Sequence, residues 1–153
     1  EDIKGGNTMI IQQISVFLEN RPGTLAEVLQ VLSEQQVNLR AMSLADTADF
    51  GILRLIVKDR EKVEQVLRQA KFTVKTTPVL AMKIGDRPGG LLEKIQQLSA
   101  AGINIEYLYA FATAPGEQDA RVVLKVDDLP RAESLCGGGV QAANADQEPD
   151  FYW

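Results

Sequence analysis

The stretches Asn20-Arg21-Pro22-Gly23-Thr24-Leu25 and Asp86-Arg87-Pro88-Gly89-Gly90-Leu91 are two writings of one phrase, set 66 residues apart. The chemistry they suggest is anion binding by backbone. Proline fixes φ and lacks an N–H, so it suits a residue at or just before a helix start. Glycine has no Cβ and lets the backbone approach another group closely. The amides that follow belong to a first helical turn and have no intrahelical partner, and together with the helix dipole they favour an anion. A carboxylate suits this geometry, whereas a triphosphate would want a longer glycine-rich loop with a lysine. Asn38 and Asn104 each stand 18 residues after the Asn or Asp of their phrase. If the second strand starts beside the loop, each amide side chain brings one acceptor and two donors to the same pocket. The plainer reading of these residues is a strand-to-helix turn and a turn residue after the helix.

Catalytic chemistry has little to work with. The chain has no histidine, the commonest general base and transition-metal ligand, and Cys136 is its single cysteine. Scattered Asp, Glu and Lys residues read as solvated surface. The expectation is therefore a non-enzyme with no catalytic residue, no metal site and no cofactor.

The elements needed to hold the two phrases follow from the hydrophobic pattern. Residues 9–18 are apolar and partly alternating, as in a strand, and Leu25, Val28, Leu29 and Leu32 fall on one face of a helix over 24–36. Residues 37–45 and 50–58 read as strands around a polar hairpin. Asp59 caps a second helix and 72–76 forms a last strand, which gives the order βαββαβ. The pattern then repeats: strand 79–84, helix 90–101, strands 104–112 and 120–126, and a short helix over "DLPRAESLC". The offset grows from 66 to 69 across the second hairpin, where three inserted residues cost little. "VQAA" reads as a thin final strand, and "NADQEPDFYW" as a polar tail docked through Phe151, Tyr152 and Trp153.

The expected fold class is thus α+β: two ferredoxin-like units in tandem, each an antiparallel four-stranded sheet with helices on one face. The domains fall at 9–78 and 79–143, the second degenerate towards its end, with a 144–153 tail. Residues 1–8 read as a disordered leader or an expression remnant. Each unit alone is small enough to be marginal, so the units should pack together or dimerise. A net charge of −5 without a basic run argues against nucleic acid, whose phosphates dominate affinity. No apolar run approaches the ~18 residues of a membrane span. One cysteine fits a reducing cytoplasm.

The phrase "ENRPGTLAEVLQVLSEQQVNLRAMSLA" resembles the opening of ACT domains, the ferredoxin-like modules that bind amino acids and regulate metabolic enzymes. The duplication is similar to the stand-alone two-ACT amino-acid-binding proteins of bacteria, over roughly residues 9–143. The resemblance implies a free amino acid as ligand, seated against the first strand–helix loop where two ACT units meet. It places Asn20, Pro22, Gly23, Thr24 and Leu25 at one site and Asp86, Pro88, Gly89, Gly90 and Leu91 at the other, with Arg21 and Arg87 in the same loops. Asn20 and Asn38 match the asparagine pair of serine-binding members, and Asn104 keeps the second of that pair beside Asp86. Leu18 stands where those members carry a histidine, which sets this chain apart from them. A ligand touching two units would favour one mutual arrangement, and that difference in affinity is the regulatory output.

Rival readings of the fold fail at their own sites. An RNA-recognition module needs stacking aromatics that "GILRLIVK" and "ARVVLKV" lack. A metal chaperone needs paired cysteines, and neither loop resembles the acylphosphatase phrase. The remaining alternative is a regulatory subunit of an amino-acid biosynthetic enzyme, since "SVFLENRPGTL" also resembles acetolactate synthase small subunits. Those carry one ACT motif, whereas this chain carries two. A homodimer is expected, with "YLYAFA" as a possible interface and a metabolic enzyme as a possible partner.

Overall fold

The computed structural model describes residues 8–47, 49–112, 116 and 119–137. Six strands and four helices occur among them: β1 (Thr8–Glu19), α1 (Thr24–Glu34), β2 (Leu39–Asp46), β3 (Phe50–Val57), α2 (Arg60–Gln69), β4 (Thr73–Gly85), α3 (Gly90–Ala100), β5 (Ile105–Ala110), β6 (Asp119–Val126) and α4 (Leu129–Gly137). The class is α+β, and β1 with β3, β2 with β3, β4 with β6 and β5 with β6 all pair antiparallel.

The chain forms two compact units, one of residues 12–77 and the other of 78 onward together with the residues before Gln12. In the first, Ile14, Val16 and Leu18 of β1 and Leu53, Leu55 and Val57 of β3 alternate toward one face. Val28 and Leu32 of α1 and Val63 and Leu67 of α2 cover that face, so both helices lie on the same side. In the second, Leu80, Met82 and Ile84 of β4 and Val122, Leu124 and Val126 of β6 meet Leu98 of α3 and Ala132 and Cys136 of α4. Burial pushes the Cys136 thiol up from its ordinary value, which disfavours its thiolate.

Two separate four-stranded sheets prove only an approximation. Six strands hydrogen-bond in the order β2-β3-β1-β4-β6-β5. The strands expected at 72–76 and 79–84 are one strand, β4, which runs through Pro78 without a break. Both β1 and β4 are long enough to serve each unit with a different half. The place of a fourth strand in the second unit is taken by residues 8–11. There Thr8 and Ile11 are buried, Ile10 packs on the Leu80–Leu124 core, and the Thr8 hydroxyl donates to the Cys136 carbonyl at 3.3 Å. The strand expected at "VQAA" and the aromatic tail lie outside the described residues.

Three helices end alike. After α1 the Val37 amide reaches back to the Leu32 carbonyl and that of Gln36 to Ser33; α2 repeats this with Phe72, Leu67, Lys71 and Arg68, and α3 with Ile103, Leu98, Gly102 and Ser99. The motif needs a left-handed residue. Gly102 supplies it at φ 75°, but Gln36, at the matching place in the first repeat, and Lys71 adopt φ 55° and 73° with side chains attached. Gln36→Gly should therefore stabilise the chain by about 0.5–1 kcal/mol, read as a rise in the urea midpoint at unchanged slope.

A second expected result concerns acid. Glu64 on α2 accepts from the Thr76 hydroxyl at 2.8 Å and from Arg68 and Arg60, each at 2.9 Å. The Thr76 hydrogen bond, then Arg68, hold its carboxyl below the ordinary 4.5. A carboxyl depressed in the folded state adds stability above its unfolded value, and loses it as pH falls through the folded one. Glu64→Gln should thus lower the melting temperature at pH 7 and narrow the wild-type advantage steadily below about pH 4.5. A melting series from pH 7 to pH 3 checks it.

Candidate ligand-binding site

The β1–α1 turn is built by its glycine. Gly23 takes φ 94° at the start of α1, and Gly89 takes φ 83° at the start of α3. A Cβ at either would meet nothing within 4 Å, so glycine is needed there for its backbone angle and not for a close approach. The first amides to bond back into each helix are those of Glu27, to the Gly23 carbonyl at 3.0 Å, and Glu93, to that of Gly89 at 3.1 Å.

The two turns close differently. In the first, the Thr24 hydroxyl donates to the carbonyls of Glu19 at 3.0 Å and Arg21 at 3.2 Å. In the second there is no hydroxyl, and the Gly90 amide itself donates to the Arg87 carbonyl at 3.1 Å. Gly90 sits so close to the end of β4 that a Cβ would fall 2.5 Å from the Gly85 carbonyl oxygen. The second turn thus spends its leading amide on its own backbone, while the first uses a side chain for that bond.

Around the first turn lies a cleft of about 310 Å³, lined by residues that include Asn20, Arg21, Gly23, Thr24 and Leu25, with Leu44, Asp46 and Gly51 opposite. Asn20, Arg21, Pro22 and Gly23 are exposed, Thr24 is buried, and Leu25 is half-buried. In the second turn Asp86, Arg87, Pro88, Gly89 and Leu91 are exposed and only Gly90 is buried.

The guanidinium groups of the turns are engaged. Arg21 donates to Glu19 at 3.0 Å and to Glu27 at 3.2 Å, and Arg87 donates to Glu93 at 2.7 Å. Glu27 and Glu93 hold the same place in the first turn of α1 and α3, so the clasp is part of the repeat. The hydrogen bond from Arg87 lowers the Glu93 carboxyl from its ordinary value. These exposed pairs order the loops more than they stabilise the fold. Sequence reading passed over them, although the equal spacing from Arg to Glu in both phrases carries the signal.

Asn38 and Asn104 do not join the turns. The expectation that the second strand starts beside the loop is overturned by register. Glu19 faces Phe50 at one end of β3, and Leu39 faces Val57 at the other. The seven steps from Phe50 to Val57 span roughly 23 Å, and Asn20 and Asn38 lie just beyond opposite ends. The cause is topological: β1 and β2 are both antiparallel to β3, so β2 begins where β1 begins, far from where β1 ends. In the second unit Gly85 faces Asp119, while the Asn104 amide donates to the Asp127 carboxylate at 3.0 Å, again at opposite ends.

The family described as ACT domain pair matches residues 9–136. The chain belongs to this family. ACT domains are typically ligand-binding regulatory modules, generally without catalytic activity of their own, and the two phrases fall at the β1–α1 and β4–α3 turns of this pair. The ACT pair is similar to protein BT0572 from Bacteroides thetaiotaomicron, at 39% identity over 84% of this chain and 88% of that one, with a TM-score of 0.76. The regulatory subunits of aspartate kinase from Thermus thermophilus and Thermus flavus share the fold. Their identities are 17% and 16%, their TM-scores 0.57 and 0.56, and the matches cover 86% of this chain and 93% and 94% of theirs. No protein of curated function matches the ACT pair. Among the described residues no group of three or more His, Cys, Asp or Glu could hold a metal ion, and no helix is long and apolar enough to cross a membrane.

Proposed function

We propose that this ACT pair is a non-catalytic sensor of a free amino acid, which it binds at the β1–α1 turn. The observation that carries the reading is the cleft around Asn20, Gly23 and Thr24. At about 310 Å³ it has the size of a small-molecule site at the lower end of the usual range. The ligand's α-carboxylate accepts hydrogen bonds from amides at Gly23-Thr24, and its ammonium meets Asn20 and the acidic residues at the rim. The second turn, with Asp86 for Asn20 and its Gly90 amide already bonded, binds more weakly or not at all.

The regulatory output is a ligand-dependent change in how two ACT surfaces meet, because only a difference in affinity between two arrangements transmits a signal. Since Asn20 and Asn38 lie at opposite ends of their own unit, they can hold one ligand together only across two copies of the chain. We place the chain as a homodimer in the cytoplasm on this reading. A thermal-shift screen of the proteinogenic amino acids tests it. A ligand at about 100 times its Kd stabilises the native state by about 2.7 kcal/mol, which moves the melting temperature of a chain this size by several degrees. Asn20→Ala should remove that shift. If Asn38→Ala removes it too, the ligand bridges two copies; if not, one loop holds it alone. Absence of any shift across the panel sinks the sensor reading. A partner enzyme then becomes the better account, and the regulatory subunit of aspartate kinase is the solved precedent for it.

A further inference from the structure

The floor of the cleft says which side chain it takes. Across three neighbouring strands Leu18 of β1 faces Gly51 of β3, which faces Asp46 of β2. Directly opposed residues project to the same side of a sheet, here the side covered by the helices. Leu18 and Asp46 are therefore separated by a position with no side chain. Gly51 is not there for its backbone. Its φ lies outside the left-handed region, and a Cβ would make only ordinary contacts: Ala45 carbonyl oxygen at 3.6 Å, Leu44 Cδ1 at 3.7 Å and Leu18 Cβ at 3.9 Å. What glycine provides at this point is room.

The room is apolar. Leu18 is buried beneath it, Leu25 of α1 lines it, and Leu44 stands at its rim 53% exposed, a large aliphatic surface beside a polar loop. Its charges are acidic. Asp46 has no ion-pair partner among the described residues, and Arg21 is shared between Glu19 and Glu27. The matching positions of the second repeat are built otherwise: Ala120 for Gly51, Ala110 for Leu44 and Ala112 for Asp46. The recess, the aliphatic rim and the rim carboxylate therefore occur together in the first unit alone.

Resting on the sensor reading above, we propose that the cleft selects an α-amino acid with a short aliphatic side chain, of the valine, leucine or isoleucine kind. The side chain sits on Gly51 between Leu18 and Leu44, and Asp46 receives the ammonium. An acidic side chain would be repelled by Asp46 and Glu19. A hydroxylated one would leave its polar head against leucine without a partner, which costs affinity. A basic one, drawn to Asp46, would compete with its own ammonium for that carboxylate.

The test is isothermal titration of the full chain with valine, leucine, isoleucine, serine, threonine, lysine and aspartate, and with isovalerate as the analogue lacking an ammonium. The aliphatic amino acids should bind at least about tenfold more tightly than the others and than isovalerate. Gly51→Val should abolish that binding. Gly51→Ala, whose single methyl meets only ordinary contacts, should weaken it about tenfold while leaving the unliganded melting temperature near wild type. Preferential binding of serine, threonine, lysine or aspartate overturns the proposal but leaves the sensor reading standing. Aliphatic binding that survives Gly51→Val overturns the placement on Gly51. Binding of no amino acid at all overturns both.

Discussion

Deleting residues 1–11 should cost the second unit its cooperative fold. Its residues 8–11 supply the strand beside β4, and with them go the buried Thr8 and Ile11, the packing of Ile10 on the Leu80–Leu124 core, and the hydrogen bond from Thr8 to the Cys136 carbonyl. Truncating one large buried aliphatic residue costs about 2–5 kcal/mol. The deletion removes more than that, along with a row of ladder hydrogen bonds, against a typical total stability of about 5–15 kcal/mol. Native-state hydrogen exchange gives the readout. Amides of β5 and β6 should lose protection first, while those of β2 and β3, in the other unit, keep more of theirs. Full protection throughout would show that the strand is dispensable.

The second large effect is expected at Gly90. A Cβ there would lie 2.5 Å from the Gly85 carbonyl oxygen and 3.2 Å from Ile84 Cγ2. The nearer contact is backbone at the end of β4, which can yield only if the turn itself shifts. Gly90→Ala should destabilise the chain by about 1–3 kcal/mol, the usual cost of overpacking, and Gly90→Thr by no less. The comparison is sharp because Thr24 occupies the matching position in the first unit and is built into its turn by two hydrogen bonds. Thr24→Gly should accordingly be the milder change. Chemical denaturation of the three variants checks the order, and a Gly90→Thr chain as stable as wild type would refute it.

Much of the architecture could be read from spacing alone. The repeat of Pro-Gly turn, amphipathic helix and alternating strands placed both helices of the first unit within a residue or two of where they stand. It failed at Pro78 for a physical reason. Proline usually marks a break or an edge in a strand, yet here it is exposed within β4. Thr8 was hidden by composition, since a threonine after seven mostly polar residues gives no sign that it will be buried.

The site divides in the same way. The loop follows from local backbone chemistry, and Asn20, Arg21, Gly23, Thr24 and Leu25 lie together along a cleft. Asn38 does not, because its position depends on the direction in which β2 runs, which no local pattern encodes. Gly51 escaped notice altogether. A glycine near a hairpin looks like turn chemistry, and only the cross-strand register reveals that it leaves a gap between Leu18 and Asp46.

The unit built around α3 and α4 uses two segments that lie on either side of residues 12–77 in the chain. During synthesis residues 8–11 are made before residues 12–77, whereas the partners they pack with, from Pro78 onward, follow only after that whole segment. At about 5–20 residues per second this segment waits several seconds or more for its partners, while residues 12–77 make a unit from one contiguous segment. The repeats are thus duplicates in pattern but not in assembly. The first is contiguous in the chain, and the second is interrupted by it.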